Sequence, residues 1–280
     1  MIRHSPLSRV LQVIMWLFLL FLYGPTLTIL ILSFQGPMGG LTFPLKDPSL
    51  HWFASLFEVQ RVGDFGGSLK RSLILAVLVM FVNVLIAVPA GMALRKGFRG
   101  SRAIFWLTIA SLIVPSILVS LGVGLLFSQT GLGTKWYTSA FGAHLTWTLP
   151  FGVLIMIGVF ARLNPAYEEA AVDAGATRWQ TFRHVTFPII LPNVVGVMLF
   201  GFSLSYDEMP RTVLAGGAYN TLPLEIYAMT NNVTTPVLYA LGSLTTLVSF
   251  LVIALALTLM TLARRRTGGG AALRKPKQES

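Results

Sequence analysis

Long apolar segments without a charged residue recur along this chain and alternate with short polar segments. Six such segments contain no Asp, Glu, Lys or Arg: residues 10–34, 72–94, 103–127, 143–160, 189–206 and 236–263. A helix needs roughly 20 apolar residues to cross the hydrocarbon core of a bilayer. The pattern therefore predicts six transmembrane helices, and we expect residues 1–280 to form a single all-α, polytopic membrane domain.

The composition agrees with this pattern. Hydrophobic residues make up 54% of the 280 positions and charged residues only 11%, whereas a soluble domain carries about 25% charged residues. A water-soluble particle of this size could not be covered by so little polar surface. The absence of Cys excludes disulfide scaffolds, thiol nucleophiles and Cys-ligated metal sites.

The two shortest of the six segments are interrupted by proline and by several glycines. Segments 143–160 and 189–206 are the shortest, and they contain Pro150 and Pro192. Broken membrane helices are tolerated where neighbouring helices or a water-filled cavity satisfy the freed backbone groups. We therefore expect any break in a span to lie in the fourth or fifth segment, with simple kinks as the alternative.

The distribution of charge predicts the orientation in the membrane. If the N-terminus is cytoplasmic, the cytoplasmic segments hold fifteen of the 21 basic residues and four of the ten acidic ones, which accounts for the whole net charge of +11. This agrees with the positive-inside rule. We expect both termini to be cytoplasmic, and we expect the basic residues to anchor the chain in the membrane rather than to bind nucleic acid.

The predicted cytoplasmic loop 161–188 has the signals of two short helices. Asn164 and Pro165 are suited to begin a helix, and Gly175 is placed to end it in a left-handed conformation. Thr177 and Gln180 then have the spacing of a capping box, and Pro188 is expected to close the second helix. Such a helix pair is typical of a docking element for a soluble partner; an amphipathic loop on the membrane surface is the alternative.

The same loop carries a resemblance to a known family. Glu169-Ala170-Ala171 is followed after three residues by Gly175, and Val185-Thr186-Phe187-Pro188 ends the loop. This arrangement resembles the EAA signature of permease subunits of ATP-binding-cassette importers, the binding-protein-dependent transport inner-membrane family. The usual ending of that signature is Ile-x-Leu-Pro, so Val185 and Phe187 are conservative apolar departures.

The resemblance implies a type I importer permease fold at a bacterial inner membrane, with this loop docked on a cytoplasmic ATPase. Glu169 and Gly175 take the motif positions, supported by Ala170, Ala171 and Pro188. Because the chain lacks a phosphate-binding glycine loop, we expect ATP and Mg²⁺ to be bound by the ATPase. The chain itself is expected to have no catalytic residues, cofactor or metal. Implied partners are two ATPase copies, a second homologous permease and an external solute-binding protein.

A second resemblance concerns the transported solute. The segments Ser203–Glu208 and Leu222–Tyr227 resemble the C-terminal part of polyamine-type permeases, a subgroup that also includes opine, phosphonate and iron(III) systems. It implies putrescine or spermidine as the solute, with an opine, an aminophosphonate or iron(III) as alternatives.

Charged and aromatic residues suggest a path for a cationic solute. Asp207 and Glu208 stand at the predicted outer end of the fifth segment, beside Tyr206. Two carboxylates can attract a cation, and the rings of Tyr206 and Trp52 can present aromatic faces to it. As an alternative, these acids cap the end of the helix or pair with Arg211. Trp52 is expected in a short helix at the outer surface.

Two other classes of protein predict features that the chain lacks. A secondary transporter or channel would need charged residues within the spans for ion coupling, and the six segments contain none. An intramembrane hydrolase needs a nucleophile and base or metal ligands within the bilayer, and His144 stands alone near the end of its segment.

Overall fold

The computed structural model describes residues 6–58, 63–232 and 236–268, and their regular secondary structure is helical. The helices are α1 (Pro6–Leu32), α2 (His51–Ser55), α3 (Phe65–Lys96), α4 (Ser101–Ile113), α5 (Ser116–Gln129), α6 (Ser139–Arg162), α7 (Ala166–Asp173), α8 (Arg178–Thr181), a π-helix (Phe182–Thr186), α9 (Phe187–Tyr206), α10 (Leu222–Asn232) and α11 (Val237–Gly268). The basic residues Arg3, Arg61, Arg274, Lys275 and Lys277, which entered the charge count, lie outside the described residues.

Five of these helices are long and apolar enough to cross a membrane, and a bent pair brings the number to six. The five are α1, α3, α6, the continuous helix formed by α8, the π-helix and α9, and the first part of α11. The bent pair is α4 with α5. The prediction of an all-α polytopic membrane protein is therefore confirmed.

The chain divides into two compact units, which are described separately. Unit 1 comprises Met1–Gly66 and Glu225–Ser249, and unit 2 comprises Gly67–Leu224 and Phe250–Ser280. This division into units does not test the expectation of a single permease domain, which stays a prediction. In unit 1, the hydroxyl of Tyr239 donates a hydrogen bond of 2.7 Å to the carbonyl oxygen of Leu41. The predicted short helix around Trp52 is confirmed as α2.

Helix α1 is apolar around its whole circumference. None of the residues in its most hydrophobic stretch is buried, and Phe21 is 81% exposed. A helix with this surface is unstable in water, because its apolar area would remain hydrated. It is suited to the bilayer, where the surrounding lipid or another membrane protein covers it.

The helices α3 and α6 extend beyond the charge-free segments that predicted them. The predicted segment 72–94 begins after Arg71, whereas α3 begins at Phe65 and includes Lys70 and Arg71. The guanidinium of Arg71 donates a hydrogen bond of 2.7 Å to the carbonyl oxygen of Asn220 and lies over the ring of Tyr219. A charged residue ends an apolar segment, but it does not end a helix where its charge has a partner.

The break in a membrane span lies in the third predicted segment, not in the fourth or fifth. Helices α4 and α5 together make up segment 103–127, and they are bent by 105° at their junction. Val114 has an extended conformation, with ψ of 127°, because the ring of Pro115 disfavours the helical conformation for the residue before it.

The prolines in the fourth and fifth segments leave their helices continuous. Helix α6 runs through Pro150 and α9 runs through Pro192. These two helices pack against each other in unit 2. Their shared core includes the buried residues Val153, Met156, Phe160, Ile190, Val194 and Val197. This packing offsets the hydrogen bond that each proline removes.

One glycine in unit 2 combines a left-handed conformation with close backbone contact. Gly217 has φ of +75°, and a Cβ there would overlap the carbonyl oxygen of Thr134. We expect Gly217→Ala to lower the free energy of unfolding by about 2–5 kcal/mol, because left-handed strain and overpacking add. Thermal denaturation of the purified protein in detergent measures this change.

Gly133 provides the matched control for this substitution. It also has positive φ, at +64°, but an added Cβ would meet nothing within 4 Å. Gly133→Ala should therefore cost only the left-handed conformation, about 1–2 kcal/mol. Equal midpoints for the two variants would contradict the close contact at Gly217.

Candidate functional site

The first half of the loop 161–188 forms the helix that its sequence predicts. The side-chain oxygen of Asn164 accepts a hydrogen bond of 3.0 Å from the backbone N–H of Ala166, the first residue of α7. After α7, Gly175 has φ of +84°, and its N–H donates 2.8 Å to the carbonyl oxygen of Val172. The predicted left-handed end at Gly175 is confirmed.

The second half begins as predicted but ends differently. Thr177 and Gln180 form a capping box: the backbone N–H of each donates to the side chain of the other, at 2.8 and 3.3 Å. The expectation that Pro188 closes this helix is wrong, because α8, the π-helix and α9 are continuous. Pro188 lies in the first turn of α9, directly after the π-helix. There the N–H of Phe187 donates five residues back, to Phe182, and this wider turn accommodates the missing donor of Pro188.

The residues of the EAA signature lie at the surface of this loop. Glu169, Ala170, Gly175 and Pro188 are exposed, and Ala171 is half-buried. Large apolar side chains accompany them: Tyr167, Val172 and Trp179 are more than half exposed. A short helix that presents small, acidic and apolar side chains together offers a surface on which a soluble protein can dock.

Glu168, next to the signature, has the opposite environment. Its Oε2 accepts from Arg95 Nη2 at 2.5 Å, and its Oε1 accepts from the hydroxyl of Thr186 at 2.9 Å. Burial acts to raise the pKa of Glu168, but these two hydrogen bonds and the nearby charges of Arg95 and Lys96 hold it below its usual range. Sequence reasoning missed this cluster, since Arg95 counted only as a topological charge.

The residues proposed for the solute path differ in how exposed they are. Asp207 is exposed at the end of α9, whereas Glu208 is 8% exposed. Glu208 Oε1 accepts a hydrogen bond of 3.0 Å from the backbone N–H of Arg211. Burial raises the pKa of Glu208, although this hydrogen bond acts against the shift. Glu208 thus contacts Arg211 through the backbone N–H of Arg211, and the pairing with the Arg211 side chain that the alternative interpretation predicted stays a prediction.

The two aromatic residues of the predicted path lie in different units. Tyr206 belongs to unit 2, where it is buried and its ring stacks on Phe202 with centroids 5.7 Å apart. Trp52 belongs to unit 1, where it is half-buried in α2 and its indole makes an edge contact with His51. The structure brings Tyr206, Asp207 and Glu208 together only as chain neighbours, and their contact with a solute stays a prediction.

A buried polar network in unit 2 was not predicted. His144 is 1% exposed, its Nδ1 lies 2.8 Å from the hydroxyl oxygen of Ser205, and its Nε2 lies 2.9 Å from that of Thr212. The Thr212 hydroxyl donates its proton to the carbonyl oxygen of Glu208, so it must accept from His144. With that donation, a neutral imidazole carries its proton on Nε2 and accepts a hydrogen bond from Ser205 at Nδ1. His144 thereby links α6 to α9 and to the segment that follows α9.

Arg211 is a charged member of this buried region. Its side chain is fully buried, donates to the hydroxyls of Ser116 and Thr146, and lies over the ring of Trp147, 5.0 Å from its centroid. Its backbone carbonyl accepts from the hydroxyl of Ser120 at 2.9 Å. Arg211 therefore joins α5 and α6 to the segment after α9. Its isolated position in the sequence gave no signal of this role.

Curated proteins with similar sequences are transport permeases. The chain is 29% identical over 207 residues to the spermidine/putrescine transport system permease protein PotC homolog of Mycoplasma genitalium, covering 72% of each chain. It is 28% identical over 245 residues to PotC of Haemophilus influenzae, covering 84% of this chain and 90% of that protein. With the putrescine transport system permease protein PotI of Escherichia coli, identity is 27% over 245 residues, covering 83% and 84%.

Solved structures share the fold at lower identity. A chain of a bacterial ABC transporter that imports the acidic polysaccharide alginate aligns with a TM-score of 0.66 at 18% identity, covering 91% of this chain and 94% of that one. A chain of the MetNI methionine ABC transporter in an inward-facing conformation aligns with a TM-score of 0.59 at 15% identity, covering 70% and 94%. The fold is that of ABC importer permeases, as the EAA resemblance implied.

The match to a protein family covers most of the chain. Residues 83–268 match the family described as binding-protein-dependent transport system inner membrane component. This range contains α7, Gly175, the buried network around His144 and the Arg95–Glu168–Thr186 cluster. The chain is therefore a member of the family of inner membrane components of binding-protein-dependent transport systems.

Proposed function

We propose that this permease imports a polyamine, putrescine or spermidine, as part of an ATP-driven complex. The observation that carries the choice of solute is the exposed carboxylate of Asp207 at the end of α9, in a chain similar to permeases named for spermidine and putrescine. A carboxylate at the entrance of a path raises the local concentration of a polycation. An opine, an aminophosphonate or iron(III) is the alternative solute.

The geometry of the loop 161–188 supports the proposal that a separate ATPase supplies the energy for transport. The exposed surface of α7, with Glu169 in its middle and Gly175 just after its last residue, is suited to dock on a cytoplasmic ATPase. That ATPase, in two copies, would bind ATP and Mg²⁺, and this chain would carry out no hydrolysis itself. A second homologous permease would complete the path, and an external binding protein would deliver the solute. The predicted orientation, with both termini cytoplasmic, places α7 on the side of the ATPase.

The test of this proposal uses the whole complex. We would purify the chain with its co-expressed partners, place the complex in nanodiscs, and follow ATP hydrolysis with the cognate binding protein. Putrescine, spermidine, an opine, aminoethylphosphonate and iron(III) would be compared. Stimulation by polyamines alone is the expected result. Stimulation by another solute would overturn the polyamine assignment, and an ATPase that never co-purifies would favour a secondary transporter.

Asp207→Asn tests the role of the exposed carboxylate. We expect the KM for polyamine transport to rise about two- to fivefold, because an exposed ionic contact contributes only about 0.2–1 kcal/mol. The effect should shrink as salt screens the charge. Uptake into proteoliposomes at low and high ionic strength measures both quantities.

Asp47→Asn is the control for this substitution. Asp47 is also exposed, lies on the same predicted face of the membrane, and has a positive φ of 45° that Asn tolerates well. Its KM should match that of the unmodified protein. A KM of Asp207→Asn equal to that of the unmodified protein would contradict a role of Asp207 in attracting the solute.

A further inference from the structure

Helix α7 is not held in place by hydrophobic burial. None of its eight residues is buried, and its larger apolar side chains, Tyr167 and Val172, are more than half exposed. Apolar contacts fix the position of a helix only where they remove its surface from water. The position of α7 against the membrane helices must therefore depend on polar contacts and on the chain connections at its ends.

Glu168 makes such contacts with two different membrane helices. Its Oε2 accepts from Arg95, in the last turn of α3, and its Oε1 accepts from Thr186, the last residue of the π-helix before α9. Each carboxylate oxygen thus has its own donor. Charge-assisted hydrogen bonds of this kind are about twice as strong as neutral ones.

Both donors are themselves held in position. The guanidinium of Arg95 lies over the ring of Phe160, 5.8 Å from its centroid, and Phe160 belongs to the buried core of α6. Thr186 is 2% exposed. Because neither donor has to be ordered when it binds Glu168, the contact loses little side-chain entropy, in contrast to an ion pair between free surface chains.

We propose that Arg95 and Thr186 are positioning residues that tie α7, through Glu168, to α3 and α9. A displacement of α7 by the ATPase then moves both membrane helices together with it. This inference rests on the proposed docking of α7 on an ATPase. The two adjacent carboxylates have different environments, since neighbours on a helix lie about 100° apart: Glu169 is exposed, and Glu168 contacts the membrane helices.

The test measures the number of solute molecules transported per ATP hydrolysed, in proteoliposomes that contain the full complex. We expect Arg95→Gln and Thr186→Val each to lower this ratio about fivefold or more, while the ATPase still co-purifies. Thr186→Ser, which keeps the hydroxyl, should retain the ratio. Arg95→Glu and Glu168→Arg should each lower the ratio when made alone. The double variant that carries both substitutions should recover part of that loss, because the ion pair is restored with its charges reversed.

Arg99→Gln is the matched control, because Arg99 is exposed just beyond α3 on the same predicted face. Its ratio should equal that of the unmodified complex. A merely structural role would make thermal stability and ATP hydrolysis fall together, without rescue by the double exchange. That outcome, or an unchanged ratio in both Arg95→Gln and Thr186→Val, would overturn the inference. Failure of the proposed function would give a different result from failure of this inference. In that case the complex with the unmodified chain would itself show no ATP-driven transport.

Discussion

Replacement of Gly175 by Asp should uncouple ATP hydrolysis from transport while the chain still inserts and folds. Gly175 is exposed, and an added Cβ would meet nothing within 4 Å. The left-handed conformation costs about 1–2 kcal/mol for a residue with a side chain, and Asp is among the residues that tolerate it best. The fold therefore remains intact. The new carboxylate lies at the end of α7, where the proposed ATPase interface would bury it without a partner.

An unpaired charge in an interface costs several kcal/mol, so we expect solute uptake to fall by at least about tenfold. Hydrolysis of ATP should no longer respond to the loaded binding protein. The measurement is uptake and ATP hydrolysis in the same proteoliposomes, with membrane insertion checked by the yield of folded complex.

Gly97→Asp is the control for the effect of Gly175→Asp. Gly97 follows α3, is exposed, has φ of +64°, and also offers open space to an added Cβ. The two substitutions therefore introduce the same charge and a similar backbone strain on the same predicted face of the membrane. Uptake should survive in Gly97→Asp. Normal uptake by Gly175→Asp would refute the assignment of the loop 161–188 as the coupling element.

Replacement of Arg211 by Ala should cause a large loss of stability. The substitution removes a fully buried side chain and leaves the hydroxyls of Ser116 and Thr146 and the face of Trp147 without their cation. Large-to-small substitutions in a core cost about 2–5 kcal/mol, and groups that lose a buried partner add to this cost. The midpoint of thermal unfolding in detergent should fall accordingly.

Two further variants separate charge from geometry at Arg211. Arg211→Lys keeps the charge but lacks the planar fork that reaches two hydroxyls at once, so it should recover only part of the stability. Arg102→Ala removes an exposed arginine in the first turn of α4 and should change stability by no more than about 0.5 kcal/mol. Equal midpoints for Arg211→Ala and Arg102→Ala would show that the buried contacts contribute nothing.

The local signals in the loop 161–188 were read correctly because they act over a few residues. The cap at Asn164, the left-handed end at Gly175 and the capping box at Thr177 each depend on backbone groups within one turn. The expectation for Pro188 failed for a related reason. Proline at the start of a helix is as favourable as proline after its end, and only the π-helix that precedes Pro188 distinguishes the two cases.

The break in the third span shows a similar limit. Pro115, Pro150 and Pro192 all lie within long apolar segments. The local sequence around each proline did not indicate which one would break its helix. Helices α6 and α9 remain continuous through their prolines because they pack on each other. At Pro115 the chain bends by 105° between α4 and α5. The outcome depends on the neighbours of each helix, which the local sequence does not contain.

The sequence by itself determined that this is an all-α membrane protein with an EAA loop, because the length of apolar segments and the short-range caps are local properties of a chain. The tertiary structure alone decided which polar residues meet. His144 joins Ser205 and Thr212, Arg211 joins Ser116 and Thr146, and Glu168 joins Arg95 and Thr186. Most of these partners are separated by 60 residues or more in the chain, so their contacts follow from the packing of helices and not from any spacing along the sequence.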